Sequence, residues 1–123
     1  MSENDNVVGI DANVKHNLFT LSNDAALGLP INLLSYSLLT YMIAQCVNMA
    51  PGDLIYNGGD VHVYENQVDA LLEQLKRNPR IYALPKLKLN PKKTDIDSFT
   101  YEDFEIVGYK SYPAIKIPLS VGL

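Results

Sequence analysis

Between Ile31 and Met49 the chain carries no charged residue, and this run limits the folds open to it more than any other stretch. Ahead of it stands Leu27-Gly28-Leu29-Pro30. Pro30 has its φ preset for a first helical turn, where its missing N–H leaves no bond unmade. The run is therefore expected to be a helix starting near Ile31. Its apolar residues, among them Leu33, Leu34, Leu38, Leu39, Met42 and Ile43, cover every side of the helical wheel. A helix apolar all round is buried all round, so the expectation is a long, buried central helix with Asn32 in its first turn.

The run is long enough to span a bilayer. Asn32, Ser35, Ser37, Thr40, Gln45 and Asn48 are spread along it, however, and no basic cluster flanks it to set an orientation. A core helix is the reading preferred over a membrane span. With 123 residues, 47% of them hydrophobic and 20% charged, residues 1–123 are expected to form one globular domain with its own core. The net charge of −4 argues against a nucleic-acid partner, which would require a basic face. A single cysteine, Cys46, excludes an internal disulfide framework and a thiolate zinc cluster, and no metal is expected. Met1 to Asn6 lacks the basic start and apolar core of a signal peptide, so cytoplasmic residence is the default.

Along the chain, Val7–Ile10 and Val14–Leu21 read as a hairpin turning at Ala12-Asn13. Ser22-Asn23-Asp24 leads into the turn before the central helix, and Pro51-Gly52-Asp53 is expected to close that helix. Leu54–Tyr56 reads as a strand, Asn57-Gly58-Gly59-Asp60 as a turn or bulge, and Val61–Tyr64 as a strand with His62 and Tyr64 on one face. Asn66 is the expected N-cap of a surface helix through Val68, Leu71, Leu72 and Leu75, with Asp69 in its first turn and Lys76-Arg77 in its last. Leu87–Leu89 and Phe104–Tyr109 read as further strands, separated by a polar loop. This order implies an α+β (α/β-like) fold, a mixed β-sheet packed on the central helix.

Few residues carry chemistry on their own evidence. Cys46 has no basic neighbour to form a thiolate and reads as a small core residue. His62 with Tyr64 is either a ligand contact or a satisfied polar pair of the core. Asn32 either meets a ligand or caps the helix. Asp24 either bonds a ligand or gathers turn N–H groups. Gly58-Gly59 is followed by no Lys-Ser or Lys-Thr, so it is no phosphate loop. His16 reads as a solvated strand position.

Taken together, Ser22-Asn23-Asp24, Leu27-Gly28-Leu29-Pro30-Ile31-Asn32 and Ser35-Tyr36 resemble the R-S-x-D-x-x-L-G-L-P-F-N-x-x-S-Y signature of thymidylate synthase. The match continues in register through Met42–Gln45, Gly52-Asp53, Gly58–Asn66, Leu84–Leu87, Tyr101–Ile106, Gly108-Tyr109 and Ile115–Pro118. It covers the chain from about Val7 onward and resembles the C-terminal half of such an enzyme. The resemblance implies methylation of dUMP at C5 to give dTMP, with methylenetetrahydrofolate as carbon donor and reductant. It implies that Asn32 reads the pyrimidine edge, that His62 and Tyr64 hold the deoxyribose hydroxyl, and that Ser22 binds phosphate. Asp24 would bond the pterin of the folate, with Leu27 and Gly28 in the same pocket. It also implies a homodimer built through the sheet.

The departures are as specific. The family's nucleophile sits in a Pro-Cys-His motif, which occurs nowhere in this sequence; counted back from Ser22, that Cys falls near Met1. Without a thiolate the ring is not activated. The arginine that precedes the phosphate-binding serine is Leu21 here, which removes a bidentate phosphate partner. The phenylalanine before Asn32 is Ile31, and Gly122 and Leu123 run past the family's usual end. The expected function is a thymidylate synthase-like protein with a partial dUMP and folate site. It would be one half of a split enzyme, inactive by itself and completed by a chain that carries the cysteine. The alternative is a catalytically silent nucleotide-binding or protein-interaction module that reuses the fold.

Overall fold

The computed structural model describes residues 13–120. In chain order it runs β1 (Asn13–Asp24), α1 (Gly28–Cys46), β2 (Ala50–His62), α2 (Val68–Leu75), β3 (Lys86–Leu89) and β4 (Phe104–Val107), with single 3₁₀ turns at Glu65–Gln67, Pro79–Ile81, Ile96–Ser98 and Tyr101–Asp103. The α+β expectation holds in its coarse form, a mixed α and β chain. Among the described residues the strands do not join into one mixed sheet. β1 and β2 make a parallel pair, and β3 and β4 a separate antiparallel pair. Parallel neighbours need a long crossover, and α1 supplies it. The first arm of the expected hairpin, Val7–Ile10, lies outside the described residues; the second arm is β1, which continues through Ser22-Asn23-Asp24.

β1 shows why one helix can serve this sheet. His16, Leu18 and Thr20 face α1, and Leu18 is buried; Lys15, Asn17, Phe19 and Leu21 alternate outward and are exposed. His16 is not merely solvated. Its Nδ1 lies 3.1 Å from the Thr40 hydroxyl, and its ring meets the edge of Tyr36 at 5.4 Å. Facing it from β2, Leu54 and Tyr56 point to the same side.

The helix departs from expectation in three ways. It begins at Gly28, one turn early, because Asp24 has already organised the preceding turn. It ends at Cys46, before the Pro51 breaker. Asn48 adopts a left-handed φ of 54°, and the last carbonyls are taken by Asn48 N to Gln45 O (3.2 Å) and Met49 N to Ala44 O (2.9 Å), a Schellman termination with Asn in place of Gly. Nor is α1 buried on every side: Thr40 and Ala44 are its buried residues, while Ile31 is 65% and Leu34 52% exposed. The two-stranded sheet covers one side of this helix, and β4 with the loop before it meets another beside Gln45, Leu38 and Met42, which leaves the rest uncovered among the described residues. Cys46, at its last position, is half-buried rather than in the core. No described helix is long and apolar enough to cross a membrane.

β2 passes without a turn through Pro51-Gly52-Asp53 and Asn57-Gly58-Gly59-Asp60, so both expected breaks are corrected to strand. Pro51 stands at the beginning of the strand, where a missing donor is tolerated. The glycines serve close approach instead of turning. A Cβ on Gly59 would stand 3.0 Å from the Leu21 carbonyl, and one on Gly58 would stand 2.5 Å from the Tyr56 hydroxyl. Asn66 is likewise not a helix cap. A 3₁₀ turn precedes α2, Tyr64 leads into it, and the Asn66 Oδ1 accepts from Ser120 Oγ at 2.6 Å.

Gln45 of α1 ties the helix to the loop between β3 and β4, donating to the carbonyls of Asn90 (2.9 Å) and Lys93 (2.6 Å). The same loop is locked by Asp103, whose side chain is buried. It accepts from Thr100 N (2.7 Å), Asn90 Nδ2 (2.7 Å) and Thr100 Oγ1 (3.0 Å), with Lys93 Nζ at 3.5 Å. The Thr100 backbone N–H foremost, then Asn90, then the Thr100 hydroxyl and the Lys93 charge, hold the carboxyl down to about 2 from 3.8, against the opposing effect of burial. A lowered folded-state value stabilises the fold above the unfolded value and loses that contribution as the carboxylate is protonated. In urea titrations at fixed pH, the gap in midpoint between the parent chain and Asp103→Asn should therefore be full at neutral pH. It should narrow as pH falls from 3.8 towards about 2. A gap unchanged over that interval would refute the assignment.

Candidate functional site

Parallel strands direct their C-terminal ends to one edge, and the crossover helix starts at that edge. The register here places Ser22 opposite Asp60, Asn23 opposite Val61 and Asp24 opposite His62. The first turn of α1 follows at once. The sequence-predicted residues of β1, β2 and α1 therefore gather at a single edge, although they lie far apart in sequence.

Asp24 is the pivot. Its Oδ1 accepts from the backbone N–H of Ala26 (2.9 Å) and Leu27 (3.3 Å), so the turn-gathering alternative is realised. Its Oδ2 lies 3.5 Å from Gln67 Nε2 and keeps acceptor capacity. Leu27 caps α1 through its backbone, without a side-chain bond, and Gly28 opens the helix. A Cβ on Gly28 would come to 3.2 Å from Asn23 Oδ1, which ties glycine here to close packing of turn on strand. Asn32 lies in the second turn of α1, half-buried, and makes no capping bond; of its two readings, capping falls away.

His62 ends β2, and Tyr64 follows it outside the strand. Their rings still meet edge to face, centroids 5.2 Å apart. His62 Nδ1 is 3.3 Å from the Asp60 carbonyl. A carbonyl only accepts, so that nitrogen donates in this bond, and in the neutral ring Nε2 is then the acceptor. Ser22 is exposed beside Asp60, and Leu21 before it is 94% exposed.

Three residues that matter were not singled out from the sequence. Gln67 is fully buried. Its Oε1 accepts from Tyr64 N (3.3 Å), and its Nε2 donates to Asp24 Oδ2 and to the Pro118 carbonyl (3.0 Å). One amide thus joins the expected sugar-holding segment, the expected pterin-bonding carboxylate and the C-terminal segment. The spacing Tyr64-x-x-Gln67, a cap position followed three residues later by Gln, was the signal available for it. Tyr56 and Asn23 form a second support. The Tyr56 hydroxyl accepts from Asn23 Nδ2 (3.3 Å) and Thr20 Oγ1 (3.2 Å), and Asn23 is buried. No cluster of three or more metal-ligating side chains occurs among the described residues.

A family model described as thymidylate synthase matches residues 5–121. The bifunctional dihydrofolate reductase-thymidylate synthase of Zea mays is 48% identical over 104 residues, which is 85% of this chain and 20% of that protein. The chain thus spans about a fifth of the length of that relative.

Gln67→Leu would keep the volume and strand three polar partners, of which a buried one left unpaired costs about 1–3 kcal/mol. Chemical denaturation should show a loss of about 2 kcal/mol. A loss within the roughly 0.5 kcal/mol typical of surface substitutions would mean that the amide does not hold the site together.

Proposed function

This chain belongs to the thymidylate synthase family, and on that premise we propose that it supplies the base-reading and sugar-holding part of a dUMP site together with the pterin-facing edge of a methylenetetrahydrofolate site. It is not catalytic by itself and acts as one half of a split enzyme. The observation that carries the reading is the β1–β2 register, which sets Ser22 and Asp24 against Asp60 and His62 beside the first turns of α1.

In this reading the Asn32 amide pairs with the N3–H and O4 edge of uracil. Cytosine presents the opposite pattern there, and a buried amide facing the wrong edge leaves groups unpaired. The Nε2 lone pair of His62 accepts from the deoxyribose hydroxyl, to which Tyr64 donates. Ser22 takes one phosphate oxygen. Asp24, with Oδ2 still able to accept, bonds the pterin N–H groups, and Leu27 with Gly28 forms the floor beside it. The folate, when bound, supplies the one-carbon unit. Cys46, which ends α1 and lies half-buried, is not among these residues, so in this reading the thiolate that activates the ring comes from another segment. The outward face of the β1–β2 sheet, with Phe19 73% and Ile55 43% exposed, supports association with such a chain or with a second copy.

One observation favours a silent binding or interaction module instead. Leu21 is fully presented to solvent where the resemblance implies an arginine for the phosphate. Calorimetric titration tests the nucleotide half-site itself: saturable binding of dUMP and not of dCMP supports it, and binding of neither rejects it. Asn32→Asp should lower dUMP affinity relative to dCMP by about tenfold or more, since an unpaired polar contact costs about 1–3 kcal/mol. Equal effects on both nucleotides would show that Asn32 does not read the base.

A further inference from the structure

Away from this site the described residues line a half-open cavity of about 590 Å³ between the end of α2, the segment Pro79–Pro85 and the segment Tyr109–Ile117. Asp24, Asn32, His62 and Tyr64 do not line it. It meets the surroundings of that site at Ala26, whose N–H donates to Asp24, and at Ile117, next to Pro118, whose carbonyl accepts from Gln67. Its size falls within the usual range for small-molecule sites.

The walls are held in place by their own contacts. The Arg77 guanidinium lies over the Tyr112 ring, 5.3 Å from its centroid, and its Nη1 donates to the Pro113 carbonyl at 2.7 Å. Tyr112 meets the edge of Tyr82 at 5.4 Å, and its hydroxyl bonds both the N–H and the carbonyl of Asn78 at 3.3 Å. Tyr109 and Leu84 stand at the mouth, 67% and 91% exposed. The lining is otherwise mostly alanine, proline and isoleucine, with Gln74 and Ser111 as its neutral polar members.

The charge pattern is specific. In a chain of net charge −4, the charged side chains that line this cavity are Arg77 and Lys110, and no carboxylate joins them. Pro113 takes one of the five guanidinium donors. Aromatic walls favour a flat ring, a guanidinium fork matches a carboxylate or phosphate, and a concave, pre-formed shape suits a small molecule better than a protein surface.

We propose that this cavity is a binding site for a small planar aromatic anion, its ring set among Tyr82, Tyr109 and Tyr112 and its charge met by Arg77 and Lys110. The proposal is independent of the nucleotide reading.

The test is titration of the full chain with 2-naphthoate, 2-naphthyl phosphate and the neutral 2-naphthylmethanol, followed by amide and aromatic NMR shifts. Both anions should bind about tenfold or more tightly than the alcohol, the ratio expected for a charge-assisted bond. A stronger carboxylate or a stronger phosphate assigns the head group, and either supports the site. Shifts should centre on Tyr82, Tyr109 and Tyr112. Lys110→Gln, at an exposed position, should weaken the anions about threefold and leave the alcohol unchanged. Ala114→Trp, with the amide spectrum otherwise preserved, should abolish binding of all three. Equal affinity for alcohol and anions, indifference to Lys110→Gln, or shifts centred on Phe19 and Leu21 of the outer sheet face would each overturn the proposal.

Discussion

The parallel pairing of β1 with β2 is the constraint from which the rest of the arrangement follows. Two parallel strands leave a crossover to be spanned, and α1 spans it. They also bring their C-terminal ends to one edge, so Ser22–Asp24 come to lie beside Asp60–His62. Had the two strands paired antiparallel, Asp24 would stand at the far end from His62. No choice of side chains could then join them. The position of the candidate site is thus a property of topology first and of residue type second.

Topology alone gives an edge; buried polar contacts give it a shape. Asp24 fixes the turn into α1 through Ala26 and Leu27, and Gln67 reaches it from the segment after β2. A fully buried amide is costly unless its groups are paired, and Gln67 is paired on both sides, to Tyr64, Asp24 and Pro118. The cost of misplacing it is what holds the three segments in one relation. Asn23 and Tyr56 work in the same way one layer deeper, where β1 and β2 meet.

How far the sequence revealed this depends on which interactions were local. The helix was legible because an uncharged run behind Gly28 and Pro30 has few other uses. The residues gathered at the edge could be named through resemblance, not through their spacing. What could not be read was non-local. Gly58-Gly59 has the composition of a turn, yet the nearness of Leu21 and Tyr56 uses both glycines inside a strand. Asn48, three residues before Pro51, ends α1 by taking a left-handed conformation open to Asn more readily than to most residues. Gln67 reads as an ordinary surface residue until Asp24 and Pro118 are brought to it.

The central helix shows where such reading fails for a physical reason. Hydropathy reports what a helix needs covered; it does not report what is there to cover it. The run from Ile31 to Met49 needs cover on all sides, and the described residues supply it only in part, chiefly towards His16, Leu18 and Tyr56. Leu34 and Ile31 stay exposed on α1, and Ser35, Leu38, Leu39 and Met42 line an apolar cavity against Tyr101, Phe104 and Ile106. On the opposite side of the sheet Phe19 and Leu21 are exposed as well. Each such side chain, fully buried, would contribute about 1.5–3 kcal/mol, so two open faces represent a large unused driving force. A net charge of −4 opposes collapse of copies onto one another only at long range. It does not offset apolar contact at close range. The same apolar residues that made α1 easy to find are therefore the ones that the described residues leave least covered.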